Sequence, residues 1–203
     1  MSSDVFLALA VFAFVSSITP GPNNLMLMAS GANFGFRRTV PHMLGIGIGF
    51  GVMIVLVGLG LVRIFDAFPV THLILSTVGI VYLLWLAWKI AHASAPDSAR
   101  AGARPFTFLQ AALFQWVNPK AWQMALTAIT LYAPDRSATA ILWVGLVFAL
   151  VNLPSVSTWT VLGQQMRRVL SSPARLRAFN WSMAALLVAS LVPVLVPMLR
   201  AAV

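Results

Sequence analysis

The chain has 203 residues, 60% hydrophobic and only 8% charged, with a mean hydropathy of +0.92. A soluble domain of this length cannot hide that much apolar side chain, so the composition excludes a water-soluble globule and implies an all-α integral membrane protein. The net charge of +9 would suit a nucleic-acid partner in magnitude, but its basic residues are scattered over three loops and assemble no such surface.

A helix needs about 18 or more apolar residues to cross roughly 30 Å of hydrocarbon. Six spans are predicted, near residues 4–30, 42–62, 70–91, 107–133, 138–163 and 179–199, with almost nothing left for a soluble domain. Residues 1–203 therefore read as one membrane domain. The first span lacks a basic n-region and carries Asp4, which marks it as a retained span and not a cleaved leader.

Span one is interrupted by Ile18-Thr-Pro-Gly-Pro-Asn-Asn. Each proline removes an amide donor and frees the carbonyl four residues earlier, so Pro20 and Pro22 should orphan the carbonyls of Ser16 and Ile18. An unsatisfied carbonyl facing lipid costs several kcal/mol, so the break must face protein or a water-filled cavity. Span two carries Gly45, Gly47, Gly49 and Gly51, then Gly58 and Gly60. That spacing predicts close packing, and span one is the expected partner. His42 at its start reads as a satisfied interface histidine, and His72 and His92 as interfacial too. Trp85, Trp88 and Lys89 close span three as an aromatic and basic anchor.

Span four repeats the interruption at Asn118-Pro-Lys, where Pro119 should free the carbonyl of Gln115. Lys120 is the one ionisable residue deep in a span. It is read as a group that holds a substrate carboxylate, a step on a proton path, a snorkelling side chain, or a donor to the carbonyls opened by the breaks. Span five places Asn152, Ser155 and Trp159 around Pro154, and span six contains Pro193 and Pro197, to which no function is assigned.

The loop charges set the orientation. Arg37, Arg38, Lys89, Arg100, Arg104, Arg167, Arg168, Arg175 and Arg177, less Asp97, put +8 on one side. Arg63, Arg136 and Arg200 balance Asp4, Asp66 and Asp135 on the other. By the positive-inside rule the first side is cytoplasmic and both termini face out.

Six spans with both ends outside divide into halves of three, approximately 1–95 and 105–203, joined by a short cytoplasmic loop, with the second half inverted. Setting Pro20 over Pro119, an offset of 99 residues, places Asn24 over Gln123, Leu27 over Leu126 and Ala29 over Ala128. Proline-broken helices at matched places in two halves point to a transporter's binding site. At each break, amides opening the second half favour an anion and carbonyls closing the first half favour a cation, so the pair would suit a zwitterion. The predicted substrate site comprises Ser16, Thr19, Pro20, Gly21, Pro22, Asn23, Asn24, Gln115, Asn118, Pro119, Lys120 and Asn152. The alternative is that the prolines are simple kinks and the amides interhelical contacts.

With these residues the chain resembles the LysE/RhtB family of bacterial amino-acid exporters. The resemblance runs through Thr19-Pro-Gly-Pro-Asn-Asn, Gly35-Phe-Arg-Arg with the Gly45–Gly51 run, Gly79-Ile-Val-Tyr-Leu-Leu-Trp-Leu-Ala-Trp-Lys and Asn118-Pro-Lys-Ala, and fades through spans five and six. Pro22-Asn-Asn, Gly35-Phe-Arg-Arg and Trp85-Leu-Ala-Trp-Lys-Ile-Ala are most similar to the cysteine and O-acetylserine exporter branch. The resemblance implies export of amino acids and their metabolites across a bacterial inner membrane, with the proton as coupling ion and a homo-oligomer compatible with it.

Catalysis finds no support: Asp4, Asp66, Asp97 and Asp135 lie at membrane edges or in loops, Glu is absent, and no His-Glu-x-x-His or Gly-x-Ser-x-Gly arrangement occurs. Without Cys there is neither a disulfide nor a thiolate metal site, and no cofactor or metal is called for. The competing reading of the fold is a passive channel or scaffold subunit for small zwitterions.

Overall fold

The computed structural model describes residues 3–61, 67–93, 104–170, 172–192 and 195–196. Arg63, Asp66, Asp97, Arg100, Pro193, Pro197 and Arg200, and the side chains of His72, Arg167 and Arg168, lie outside the described residues. Among those described, every regular element is helical.

Span one is two helices, α1 (Ser3–Ile18) and α2 (Pro22–Phe34), bent by 58° at the break. Pro20 lacks the amide a helix needs and disfavours helical geometry at Thr19, which ends α1. Pro22 then sits at N1 of α2, where its missing amide costs nothing and its fixed φ suits a helix start. On α1, Leu9, Ala13 and Ser17 face inward one turn apart while Leu7, Val11 and Val15 face out. α2 is buried on almost all sides. Gly35 closes it with φ 78°, a left-handed conformation natural to glycine, and donates its amide to the Gly31 carbonyl at 3.0 Å.

α3 (Phe36–Leu56) passes into a π-turn at Val57–Leu61. It starts six residues before the predicted span because Phe36-Arg-Arg is polar enough to escape a hydropathy window yet is a good helix start. α4 (Pro69–Ala91) follows the predicted span closely. α5 (Phe108–Phe114) opens with a capping box in which Thr107 and Gln110 exchange bonds of 3.2 and 3.0 Å. A 3₁₀ turn (Gln115–Val117) and extended Asn118 separate it from α6 (Pro119–Tyr132). α7 (Ala138–Val169) is continuous through Pro154 and overruns its predicted end into the polar Gln164-Gln-Met-Arg-Arg. α8 (Pro173–Ala189) is capped by Ser172.

By length and composition, Phe36–Leu61 and Ala138–Met166 are long and apolar enough to cross a membrane, and the bent α1–α2 pair makes a third candidate. Leu44, Ile48, Val52 and Leu56 form one exposed apolar stripe on α3, the face a hydrocarbon solvent requires.

α7 packs along α1, α2 and α3; α3 also packs on α5; α4 packs on α8. The glycine run does not serve the partner predicted from sequence. Gly45 and Gly49 meet Phe108, Ala111 and Ala112 of α5, while Gly47 and Gly51 meet Ala149, Leu153 and Gly145 of α7. Even-spaced glycines sit alternately on two helix faces, so one run lets α3 approach two neighbours. Span one reaches α7 by its own pair: a β-carbon on Gly31 would strike the Thr160 carbonyl, and one on Gly163 the Met28 carbonyl.

Candidate functional site

The breaks in spans one and four adjoin each other. Gly21, φ −175° and ψ 177°, and Asn118, φ −88° and ψ 109°, are both extended residues immediately before a proline at the first helical position. Pro22, and not Pro20, therefore occupies the place of Pro119, and the structural offset is 97 residues where the letters favour 99. In the 99-residue register Ala29 and Ala128 are both buried, while Asn24 and Leu27, both buried, lie over exposed Gln123 and Leu126. Nothing local tells a reader which of two prolines starts the helix.

The second residue of each following helix crosses to the other span. Asn23 Nδ2 donates to Gln115 Oε1 at 2.8 Å, and Gln115 Nε2 returns a bond to Asn23 Oδ1 at 3.2 Å. Lys120 Nζ donates to Thr19 O at 2.6 Å, Thr19 Oγ1 at 2.9 Å and Pro20 O at 3.4 Å. Of the four sequence readings of Lys120, this geometry favours the donor to opened carbonyls. A cation at the carbonyl end of a helix is also where the backbone dipole stabilises it.

The carbonyls that the prolines free are all answered. Ser16 O accepts from Thr19 Oγ1 at 2.8 Å, Ile18 O from Trp159 Nε1 at 3.0 Å, and Gln115 O from the Asn118 amide at 3.3 Å. Asn24 Nδ2 takes Ser17 O at 2.8 Å and Thr19 O at 2.7 Å. Asn118 caps α6 through Oδ1, which accepts from the Lys120 amide at 3.2 Å. The interruption is thus internally satisfied, as an apolar surround demands.

Between the breaks lies a cavity of about 20 Å³. Ser16, Gly21, Asn23, Asn24, Gln115, Asn118, Lys120 and Asn152 line it, all of them expected from sequence. Thr19, Pro20, Pro22 and Pro119 do not; Thr19 and Pro20 are exposed at the rim, and the two prolines shape the backbone. Ser17, Phe50, Ala121 and Met124 also line it and were missed. The signal for Ser17 was present, since it continues the inward Leu9–Ala13 stripe. Phe50 comes from a helix with no break and left no local mark.

Several polar groups here have no protein partner among the described residues. Ser17 Oγ is buried and unbonded, and the Asn152 side chain, 5% exposed, makes no hydrogen bond. Ser16 Oγ bonds back to Phe12 O at 2.6 Å. Buried polar groups ordinarily find partners, so donors and acceptors left over around a cavity are what a polar guest would use. The volume holds about one water molecule, far below the roughly 300–1,000 Å³ of ordinary small-molecule sites. The cavity as it stands is too small for an amino acid.

His42 overturns its sequence reading. It is 2% exposed, its ring lies 5.2 Å from that of Phe106, and neither ring nitrogen has a partner among the described residues. The helix begins earlier than the apolar run, which carries position 42 inward. His92 is exposed, with Nδ1 2.8 Å from Trp88 O. Lys89 Nζ lies 4.5 Å from the Trp85 ring centre, a cation–π contact.

A helical bundle with apolar outer faces and broken helices meeting at a small polar cavity is compatible with a membrane translocator. The chain belongs to the LysE type translocator family, whose model matches residues 14–194. It is thus a transporter and not an enzyme. A cysteine/O-acetylserine efflux protein of Klebsiella pneumoniae is 29% identical over 193 residues, 93% of this chain and 95% of that protein. The protein of the same name from Salmonella typhimurium is 30% identical over 162 residues, 77% of this chain and 81% of that one. The Escherichia coli protein is 27% identical over 173 residues, 83% and 87% of the two chains. No solved structure matches the chain.

Proposed function

We propose that the protein is a secondary transporter that exports small amino acids or their derivatives from the cytoplasm by alternating access, in antiport with protons. It would sit in a bacterial inner membrane as six spans, two inverted halves of three, with both termini outside. The observation that carries this reading is the mutual crossing of the breaks, Asn23 to Gln115 and Lys120 to Thr19, around one polar cavity.

The packing pattern supports the repeat. Exchanging each span with the one three later turns the span one to span five contact into span four to span two, and span one to span six into span four to span three; all four contacts occur. Spans three and six, and two and five, pack on their own counterparts. Such exchange symmetry is what inverted repeats produce. Rocking one half on the other would part the crossing bonds and enlarge the cavity at the predicted site.

The names of the relatives point to cysteine and O-acetylserine, zwitterions whose ammonium and carboxylate suit the carbonyl and amide ends of a broken helix. The test is export from cells overloaded with single amino acids, followed by counterflow in proteoliposomes. Saturable, counterflow-stimulated flux that responds to an imposed pH gradient is expected. A linear, non-exchanging flux would make the protein a channel, and no flux of any amino acid would overturn the proposal.

A further inference from the structure

We propose that Lys120 is a resident cation in a receptor for primary ammonium groups, and that the substrate's own ammonium displaces it. The site would then select molecules that bring a carboxylate for the displaced lysine. This rests on the transport reading above.

The carbonyl end of α1 has few acceptors to spare. Those of Ser16, Ser17 and Ile18 are taken by Thr19 Oγ1, Asn24 and Trp159. Thr19 O, which also accepts from Asn24 Nδ2, Thr19 Oγ1 and Pro20 O are turned to one point, and all three receive Lys120 Nζ. An ammonium has three donors and no acceptor, so three oxygens around one nitrogen match it in number. The α-ammonium of an amino acid presents the same three donors.

Every partner of Lys120 Nζ is a neutral oxygen. Replacing one ammonium by another therefore leaves the charge at the receptor unchanged. The lysine stem lies over Gly21, where a β-carbon would come within 2.6 Å of Lys120 Cδ, and it lines the cavity. When the arm leaves, it yields space as well as oxygens.

The displaced ammonium then needs an anion, because the unbonded groups lining the cavity, Ser17 Oγ and the Asn152 side chain, are neutral and no carboxylate faces it among the described residues. A substrate carboxylate beside the first-turn amides of α2 would supply one. A guest with an ammonium alone would put two cations at one receptor. A guest with a carboxylate alone would leave Lys120 in place and meet a cavity with no room for it.

The experiment uses the full-length protein in proteoliposomes and three probes with the same thiol: L-cysteine kept reduced, cysteamine, and 3-mercaptopropionate. Wild type should exchange L-cysteine at least tenfold faster than cysteamine. Lys120→Met should lower L-cysteine flux and raise cysteamine flux, each at least tenfold, reversing the preference, while 3-mercaptopropionate stays poor. Gly21→Ala keeps every charge but pushes the lysine stem aside, and should narrow the preference at least threefold. An unchanged preference for L-cysteine in Lys120→Met overturns the inference. If that variant does not fold, an unchanged preference in Gly21→Ala overturns it instead. Wild-type protein that exchanges no amino acid removes the transport reading and this inference with it, whereas normal wild-type exchange with an unaltered preference removes this inference alone.

Discussion

Asn23 and Lys120 hold the same place in the helices that follow the two breaks. Each follows a proline that opens a helix, and each donates to the end of the opposite broken span, Asn23 to Gln115 at 2.8 Å and Lys120 to Thr19 at 2.6 Å. One crossing is amide to amide and the other ammonium to carbonyl, so the two crossings are alike in placement and different in charge. A net positive charge therefore sits on one side of the cavity only.

Removing either amide of the central site should stop transport without stopping insertion. Asn23→Ala strips Gln115 Oε1 of its donor, and Asn118→Ala removes a helix cap worth about 1 kcal/mol. Both variants should reach the membrane at near-normal levels and lose at least tenfold in counterflow. Retained export by both would remove them from the site.

Trp159→Phe keeps the ring's bulk and deletes the N–H that reaches Ile18 O at 3.0 Å. A partly buried carbonyl left unpaired costs about 1 kcal/mol. The melting temperature of the purified protein in detergent should fall, and calorimetry of the two proteins side by side measures it.

Glycines of equal spacing should differ sharply in tolerance. Gly163→Ala would drive a methyl into the Met28 carbonyl and separate α2 from α7, while Gly47→Ala meets its nearest neighbour at 3.4 Å. Overpacking of the first kind costs about 1–3 kcal/mol. Folded yield after purification should drop for Gly163→Ala and remain near normal for Gly47→Ala.

His42→Leu should leave the protein as stable or more so, by about 1 kcal/mol, since it removes a buried group whose ring nitrogens lack partners. A thermal melt checks stability and counterflow checks function. A fall of tenfold or more in flux at unchanged stability would place His42 in the transport cycle.

The absence of native cysteine allows topology to be read from single introduced thiols. With an impermeant maleimide on intact spheroplasts, Arg136→Cys should label and Arg37→Cys should label only after permeabilisation. Labelling of Arg37→Cys from outside would invert the orientation.

Much of this was legible in the residues. Prolines, and the polar residues around them, mark both breaks, and eight of the predicted site residues line the cavity. Which proline opens the second helix of span one was not legible, because Pro20 and Pro22 are equivalent by letter and only the helix start separates them. Nor was the partner of the glycine run, since small residues announce a close approach without naming what approaches. His42 was misplaced for a related reason: hydropathy locates the apolar core of a span and is blind to the polar turns that extend it.

The sequence by itself determined that the chain would be helical and membrane-bound, and that two of its helices would break, because these follow from composition and from the missing amide of proline, which act locally. Only the tertiary structure decided that Lys120 would reach Thr19, that Asn23 would meet Gln115, and that the cavity would close between them. Those contacts join residues about a hundred positions apart, and their geometry depends on how every intervening helix packs.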